Sequence, residues 1–127
     1  MTARSDWLTQ LLGLVRRRTL GSLGHSLRGL RYVANHEEAV RVELVLLTVL
    51  IPTAVWWGDG AIEQLLLIGS AVLVVLVELL NTAIELTLDR YSRSHHPLAG
   101  AAKDVGSAAV LVAMLLFLLV WAVVLGR

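Results

Sequence analysis

Between residues 78 and 89 the chain reads ELLNTAIELTLD, an apolar run fit for a membrane yet interrupted by two glutamates, an asparagine and an aspartate. At about 100° per helical residue, Glu78, Asn81, Glu85 and Asp89 share one narrow stripe. Ionisable groups inside a span are costly and usually face a bundle interior or a polar pathway, so a stripe of this kind is by default a functional-site hypothesis. The plainer alternative is hydrogen bonding to neighbouring helices for assembly alone. Glu37, Glu38 and Glu43 stand at or just inside the start of the preceding apolar run. They could meet Glu85 if the two helices pack as antiparallel neighbours. Carboxylates converging at that depth repel one another unless a cation lies between them. Mg²⁺ is the obvious candidate, because it takes oxygen ligands and commonly shares them with substrate phosphates. Glu38 alone suits a solvated helix start favoured by the helix dipole.

A second group of polar residues follows. Asp89 to Asp104 is a polar connection carrying Arg90, Arg93, His95, His96 and Lys103, and Pro97 bars a continuous helix through it. Lys103 could hold a phosphate as a point charge or could snorkel at the interface. His95 and His96 are compatible with a metal or an adenine, although adjacent histidines in a loop are commonly just exposed. No Gly-Lys-Ser or Gly-Lys-Thr phosphate loop occurs, so any nucleotide would bind without that motif.

The elements that must position these residues can be read from hydropathy. At 57% hydrophobic content and a mean hydropathy of +0.73, a chain of 127 residues is too apolar for an ordinary soluble domain. With no cysteine, disulfide frameworks and thiol-based metal or redox chemistry are excluded. From Trp7 to Tyr32, leucines recur at helical spacing against a basic face, the pattern of a helix lying in the interface of an anionic leaflet. Gly21, Gly24 and Gly29 predict a bend or break there. Residues 40–57, with Trp56 and Trp57 at the far end, residues 62–88 and residues 105–125 are spanning candidates. The third opens on the small set Gly106, Ser107, Ala108, Ala109, which lets another helix approach closely. Seven of the 11 basic residues lie at or ahead of the first span, which predicts a cytoplasmic N-terminus and, after three crossings, a periplasmic C-terminus. No cleavable leader is expected at the N-terminus.

Glu78-Leu-Leu-Asn-Thr-Ala-Ile-Glu85, Asp89-Arg90, His96-Pro97-Leu98-Ala99 and Ala102-Lys103-Asp104-Val105-Gly106-Ser107-Ala108-Ala109-Val110 together resemble the prokaryotic diacylglycerol kinase family. The likeness extends back through Arg28-Gly29-Leu30-Arg31 and Ser26 to about Arg18. What the resemblance implies is an all-α membrane protein forming a single domain over residues 1–127, with an N-terminal amphipathic surface helix over about 6–33 and transmembrane helices over about 38–57, 62–89 and 101–125. It implies a homotrimer in the bacterial inner membrane, with active sites shared between protomers and no nucleic-acid partner. The implied reaction is ATP-dependent phosphorylation of diacylglycerol at the cytoplasmic face. Glu78 then corresponds to the general base, and Glu37 and Glu85 to the ligands of the catalytic Mg²⁺. Asn81 and Asp89 support them. Arg18, His25, Ser94, His95, His96, Lys103 and Asp104 correspond to ATP contacts along with Glu37 and Glu85, and Arg18, Glu43, Ser107 and Glu78 to the lipid side. His25 stands where many Gram-negative members carry an aromatic hydroxyl, and Ser94-His95 replace a more acidic or aromatic pair. The Leu-Leu-Asn-Thr and His96-Pro97-Leu98-Ala99 wording is closer to the branch that prefers undecaprenol. Gly106-Ser107-Ala108-Ala109 leans toward diacylglycerol, leaving undecaprenol as the alternative acceptor. A reading of another class is a non-enzymatic oligomer in which Glu78 and Glu85 form a cation pathway.

Overall fold

The structure, a computed structural model, describes residues 3–91 and 96–127, with side chains from Trp7 onward. Four helices follow one another: α1 (Ala3–His36), α2 (Glu38–Trp57), α3 (Ala61–Tyr91) and α4 (Pro97–Leu125). They fall into two compact units, Met1–His36 and Glu37–Arg127.

The first unit is α1 by itself. It is one continuous helix of 34 residues, so the break expected at its glycines is absent. A glycine inside a helix costs about 1 kcal/mol relative to alanine but removes no hydrogen bond, and α1 contains no proline. Local side-chain contacts brace it: Ser26 donates to the Ser22 carbonyl, the Arg28 guanidinium to His25 Nδ1 at 2.8 Å, and the Tyr32 and His36 rings stack. Its apolar side chains, Trp7, Leu8, Leu11, Leu12 and Val15 among them, are exposed.

The second unit is an up-down-up arrangement in which α3 packs against both α2 and α4. All three helices are long and apolar enough to cross a membrane. The 20 residues of α2 span about 30 Å, the thickness of a hydrocarbon core, whereas the 31 of α3 and 29 of α4 run to roughly 45 Å. The surplus carries the polar ends of α3 and α4 beyond the apolar slab. Most large apolar side chains of these helices face outward, as lipid or partner helices require.

The turn between α2 and α3 is set by Gly58-Asp59-Gly60. Gly60 sits at φ +86°, a backbone region that favours glycine. Gly58 has no room for a side chain: a Cβ there would lie 2.8 Å from the Ala54 carbonyl oxygen and 2.9 Å from Gln64 Cγ. Gln64 donates its amide to the Val55 and Gly58 carbonyls, closing the end of α2. Glu63 accepts from the Asp59 N–H and also pairs with Arg127, which ties the turn to the end of α4. Beneath it Ala54, Leu67, Trp121 and Val124 form the buried core.

The helix expected from about residue 101 begins earlier, at Pro97. His96 caps it, accepting from the Leu98 N–H through Nδ1, and Pro97 occupies the first turn. A proline at that position lacks only an N–H that has no helical partner, so the residue that stops a helix from passing also starts one. Lys103 and Asp104 therefore stand in the second turn of α4 rather than in a loop.

Candidate active site

Because α3 and α4 are antiparallel and rise equally per residue, a contact at one level fixes the level of the next. The Trp121 indole N–H donates to the Leu67 carbonyl oxygen at 3.1 Å in the buried core. Fourteen residues on along α3 is Asn81, and fifteen back along α4 is Gly106; these two are in contact. Two turns further along α3, Asp89 accepts from Lys103 Nζ at 2.5 Å, the long lysine side chain reaching along the helices from three residues ahead of Gly106. One register thus aligns the polar stripe of α3 with the start of α4.

Along that stripe Glu78 and Glu85 are half-buried, Asn81 is buried and Asp89 is exposed. Asn81 Nδ2 donates to Glu85 Oε1 at 3.1 Å, so the amide holds one oxygen of the carboxylate. The α2 carboxylates approach the same stripe. Glu78 lies within electrostatic reach of Glu85 and Glu37, and Glu43 within reach of Glu78. The antiparallel packing of α2 and α3 therefore gathers the four glutamates on adjacent faces. Glu37 is held in extended conformation (φ −112°, ψ 114°) as the residue ahead of α2.

Two polar atoms in this region are buried without a hydrogen-bond partner, Asn81 Oδ1 and Glu43 Oε2. Glu43 also borders a cavity of about 220 Å³ whose other walls are apolar, among them Leu47, Ala71, Val74, Met114 and Phe117. A carboxylate opening onto such a cavity suits a molecule with a polar head and a hydrocarbon body.

Among the described residues no three acidic or histidine side chains converge tightly enough to enclose a metal. Mg²⁺ does not need such an enclosure, being usually bound through one or two carboxylates plus substrate phosphates rather than by an all-protein cage. Glu37 and Glu85 supply the hard oxygen donors such an ion takes.

At the C-terminal end of the stripe, Lys103 and Asp89 are both solvent-accessible, and Asp104 and His96 are exposed positions at the start of α4. Ser107 is exposed on α4 next to buried Gly106. Arg18 and His25 are exposed positions of α1. Ser94 and His95 lie outside the described residues.

The family model described as prokaryotic diacylglycerol kinase matches residues 24–125. The chain belongs to the prokaryotic diacylglycerol kinase family. It is 42% identical over 108 residues to a diacylglycerol kinase of Escherichia coli K12, covering 85% of this chain and 88% of that one. The diacylglycerol kinase of Pseudomonas aeruginosa is 42% identical over 109 residues, 86% and 89% of the two chains. That of Haemophilus influenzae is 41% identical over 102 residues, 80% and 86% of the two. Membership makes the chain an enzyme, a kinase. The matched region begins at Gly24, so Arg18 lies ahead of it, while every α2, α3 and α4 residue of the candidate site lies within it.

Two features escaped the sequence reading. Lys103 was assigned to phosphate and Asp89 to a supporting role, with no sign that the two pair. The small residues at the start of α4 suggested a close helix approach without indicating that the partner is Asn81.

Proposed function

We propose that this protein transfers the γ-phosphoryl group of ATP to the hydroxyl of diacylglycerol, giving phosphatidic acid and ADP, at the cytoplasmic face of a bacterial inner membrane. The observation that carries the reading is the position of Glu78 within the family fold. It stands about 10 Å deeper along α3 than Glu85, flanked by the α2 carboxylates and near the apolar cavity at Glu43. A base deeper than the phosphate-handling end suits an acceptor that arrives from the bilayer and a donor that arrives from water.

In this reading Glu78 takes the proton of the lipid hydroxyl as its oxygen bonds to the γ-phosphorus, and the bond from that phosphorus to the β–γ bridging oxygen breaks. Phosphoryl transfer needs chiefly positioning and charge neutralisation. Glu37 and Glu85 would hold Mg²⁺, which when bound offsets the negative charge of the phosphate oxygens. Asn81 orients Glu85, and Lys103, released from Asp89, meets phosphate. The resemblance assigns Asp104, His96, Ser94, His95, His25 and Arg18 to the nucleotide, and of these Asp104 and His96 are exposed at the start of α4. Glu43 and Ser107 face the lipid path with Glu78. The outward apolar faces of α2, α3 and α4 leave room for partner helices, and the resemblance gives their number as a homotrimer with sites shared between protomers.

A cation pathway fits less well. Its outer half would depend on Glu63, Gln64 and Ser70, and all three are engaged: with Arg127 and the Asp59 N–H, with the end of α2, and with the Leu67 carbonyl.

The test is transfer from labelled ATP, with Mg²⁺, to diacylglycerol and to undecaprenol in parallel. Labelled phosphatidic acid supports the proposal. Labelled undecaprenyl phosphate alone would move the acceptor to the other branch, and labelling of neither by an assembled oligomer would refute the kinase reading.

A further inference from the structure

We infer that Gly106 is a positioning residue: by excluding a side chain at this point of α4 it fixes the Asn81 amide so that it holds the Glu85 carboxylate. This rests on the role proposed above for Glu85.

Gly106 is buried within α4 at ordinary helical geometry, so its backbone does not require glycine. The contact does. A Cβ at this position would overlap Asn81 Oδ1 and lie 3.2 Å from Asn81 Cγ, a tight contact, so the Asn81 amide would have to shift. The hydrogen standing where that Cβ would be points at Oδ1. It is a weak donor of the kind seen between closely packed helices, set against an oxygen that is buried and has no other partner.

The other end of the same amide is the functional one. With Oδ1 seated against Gly106, Nδ2 is turned toward Glu85 Oε1, at 3.1 Å. Any side chain at 106 must push the amide aside, and the Asn81–Glu85 bond is the contact that moves with it. Other glycines do not share this role: a Cβ at Gly69 or Gly100 would meet nothing within 4 Å.

The geometry also supplies its own control. Asn81 Cβ lies 3.9 Å from the Cβ that an alanine at 106 would carry, an ordinary van der Waals contact. Alanine at both positions therefore fits where Gly106→Ala alone does not. If Gly106 acts through Asn81, Gly106→Ala harms the wild-type background and adds nothing in the Asn81→Ala background.

The experiment is this double-mutant cycle on the full-length oligomer in lipid–detergent micelles, with two readouts. One is phosphate transfer, separated into kcat and the apparent KM for Mg²⁺. The other is the Mg²⁺ concentration needed for half-maximal thermal stabilisation in the presence of a non-hydrolysable ATP analogue. Gly106→Ala is expected to raise the Mg²⁺ requirement in both by about 10- to 100-fold, the range for losing a group that orients a metal ligand. Asn81→Ala and the double variant should match it. An equal further loss on adding Gly106→Ala to Asn81→Ala would overturn the inference, as would disassembly caused by Gly106→Ala in both backgrounds. Glu85→Gln run alongside separates the two claims. If it left the Mg²⁺ requirement unchanged, the role proposed for Glu85 would fail, whatever the cycle gave.

Discussion

Trp121→Phe tests the register that brings α3 and α4 into line. The indole N–H reaches the Leu67 carbonyl at 3.1 Å, and the ring is 8% exposed among Ala54, Leu67 and Val124. Phenylalanine keeps most of the ring and removes the donor. Leu67 O still accepts from Ser70 Oγ at 3.0 Å, so no buried carbonyl is orphaned. The expected cost is that of one interhelical hydrogen bond in a membrane, about 0.6 kcal/mol and at most about 1.7, plus about 1 kcal/mol for the buried ring volume lost. Trp121→Ala also removes the ring and should cost about 3–5 kcal/mol. Reversible unfolding in mixed micelles with increasing denaturing detergent measures both. Kinase activity of the phenylalanine variant should stay within about threefold of wild type, because the Asn81–Gly106 and Asp89–Lys103 contacts still pin the register. A loss above about 3 kcal/mol, or a tenfold fall in activity with the oligomer intact, would show that the register hangs on this one bond and would refute the reasoning.

Three further outcomes follow from individual contacts. Gly58→Ala should destabilise the oligomer by about 1–3 kcal/mol through overpacking against Ala54 O and Gln64, read in the same unfolding assay. Gly21→Ala should strengthen α1 by up to about 1 kcal/mol, because its new methyl meets nothing, and should slow amide exchange between residues 17 and 25. Asp89→Asn should leave assembly unchanged, since its pair with Lys103 is exposed, whereas Lys103→Met should raise the KM for ATP by at least about tenfold with diacylglycerol KM unaltered.

Much of this fold is legible as hydropathy. The bounds of α2 coincide with the expected span because Gly58-Asp59-Gly60 leaves its end little choice. Periodicity alone places Glu78, Asn81, Glu85 and Asp89 on one face. The start of α4 is less legible, because a proline signals both a helix stop and a first helical turn, and only the capping by His96 decides between them. The glycines of α1 mislead for a similar reason: they lower helix propensity without forbidding the helix. What no single segment carries is the register between segments. Asn81 against Gly106 and Asp89 with Lys103 each join residues whose pairing depends on how far α4 slides along α3, a register that they hold together with the distant Trp121–Leu67 contact.

The most direct measurement for the kinase reading is the phosphoryl-transfer rate of Glu78→Gln at saturating ATP and diacylglycerol, in preparations shown to remain assembled. Glutamine keeps the shape of the side chain and removes its capacity to take a proton. A general base of this kind contributes about 10²- to 10⁴-fold, so kcat should fall by at least the lower figure while the KM for ATP holds. Transfer within a few-fold of wild type would show that Glu78 is not the base, and the stripe would then owe its polarity to assembly.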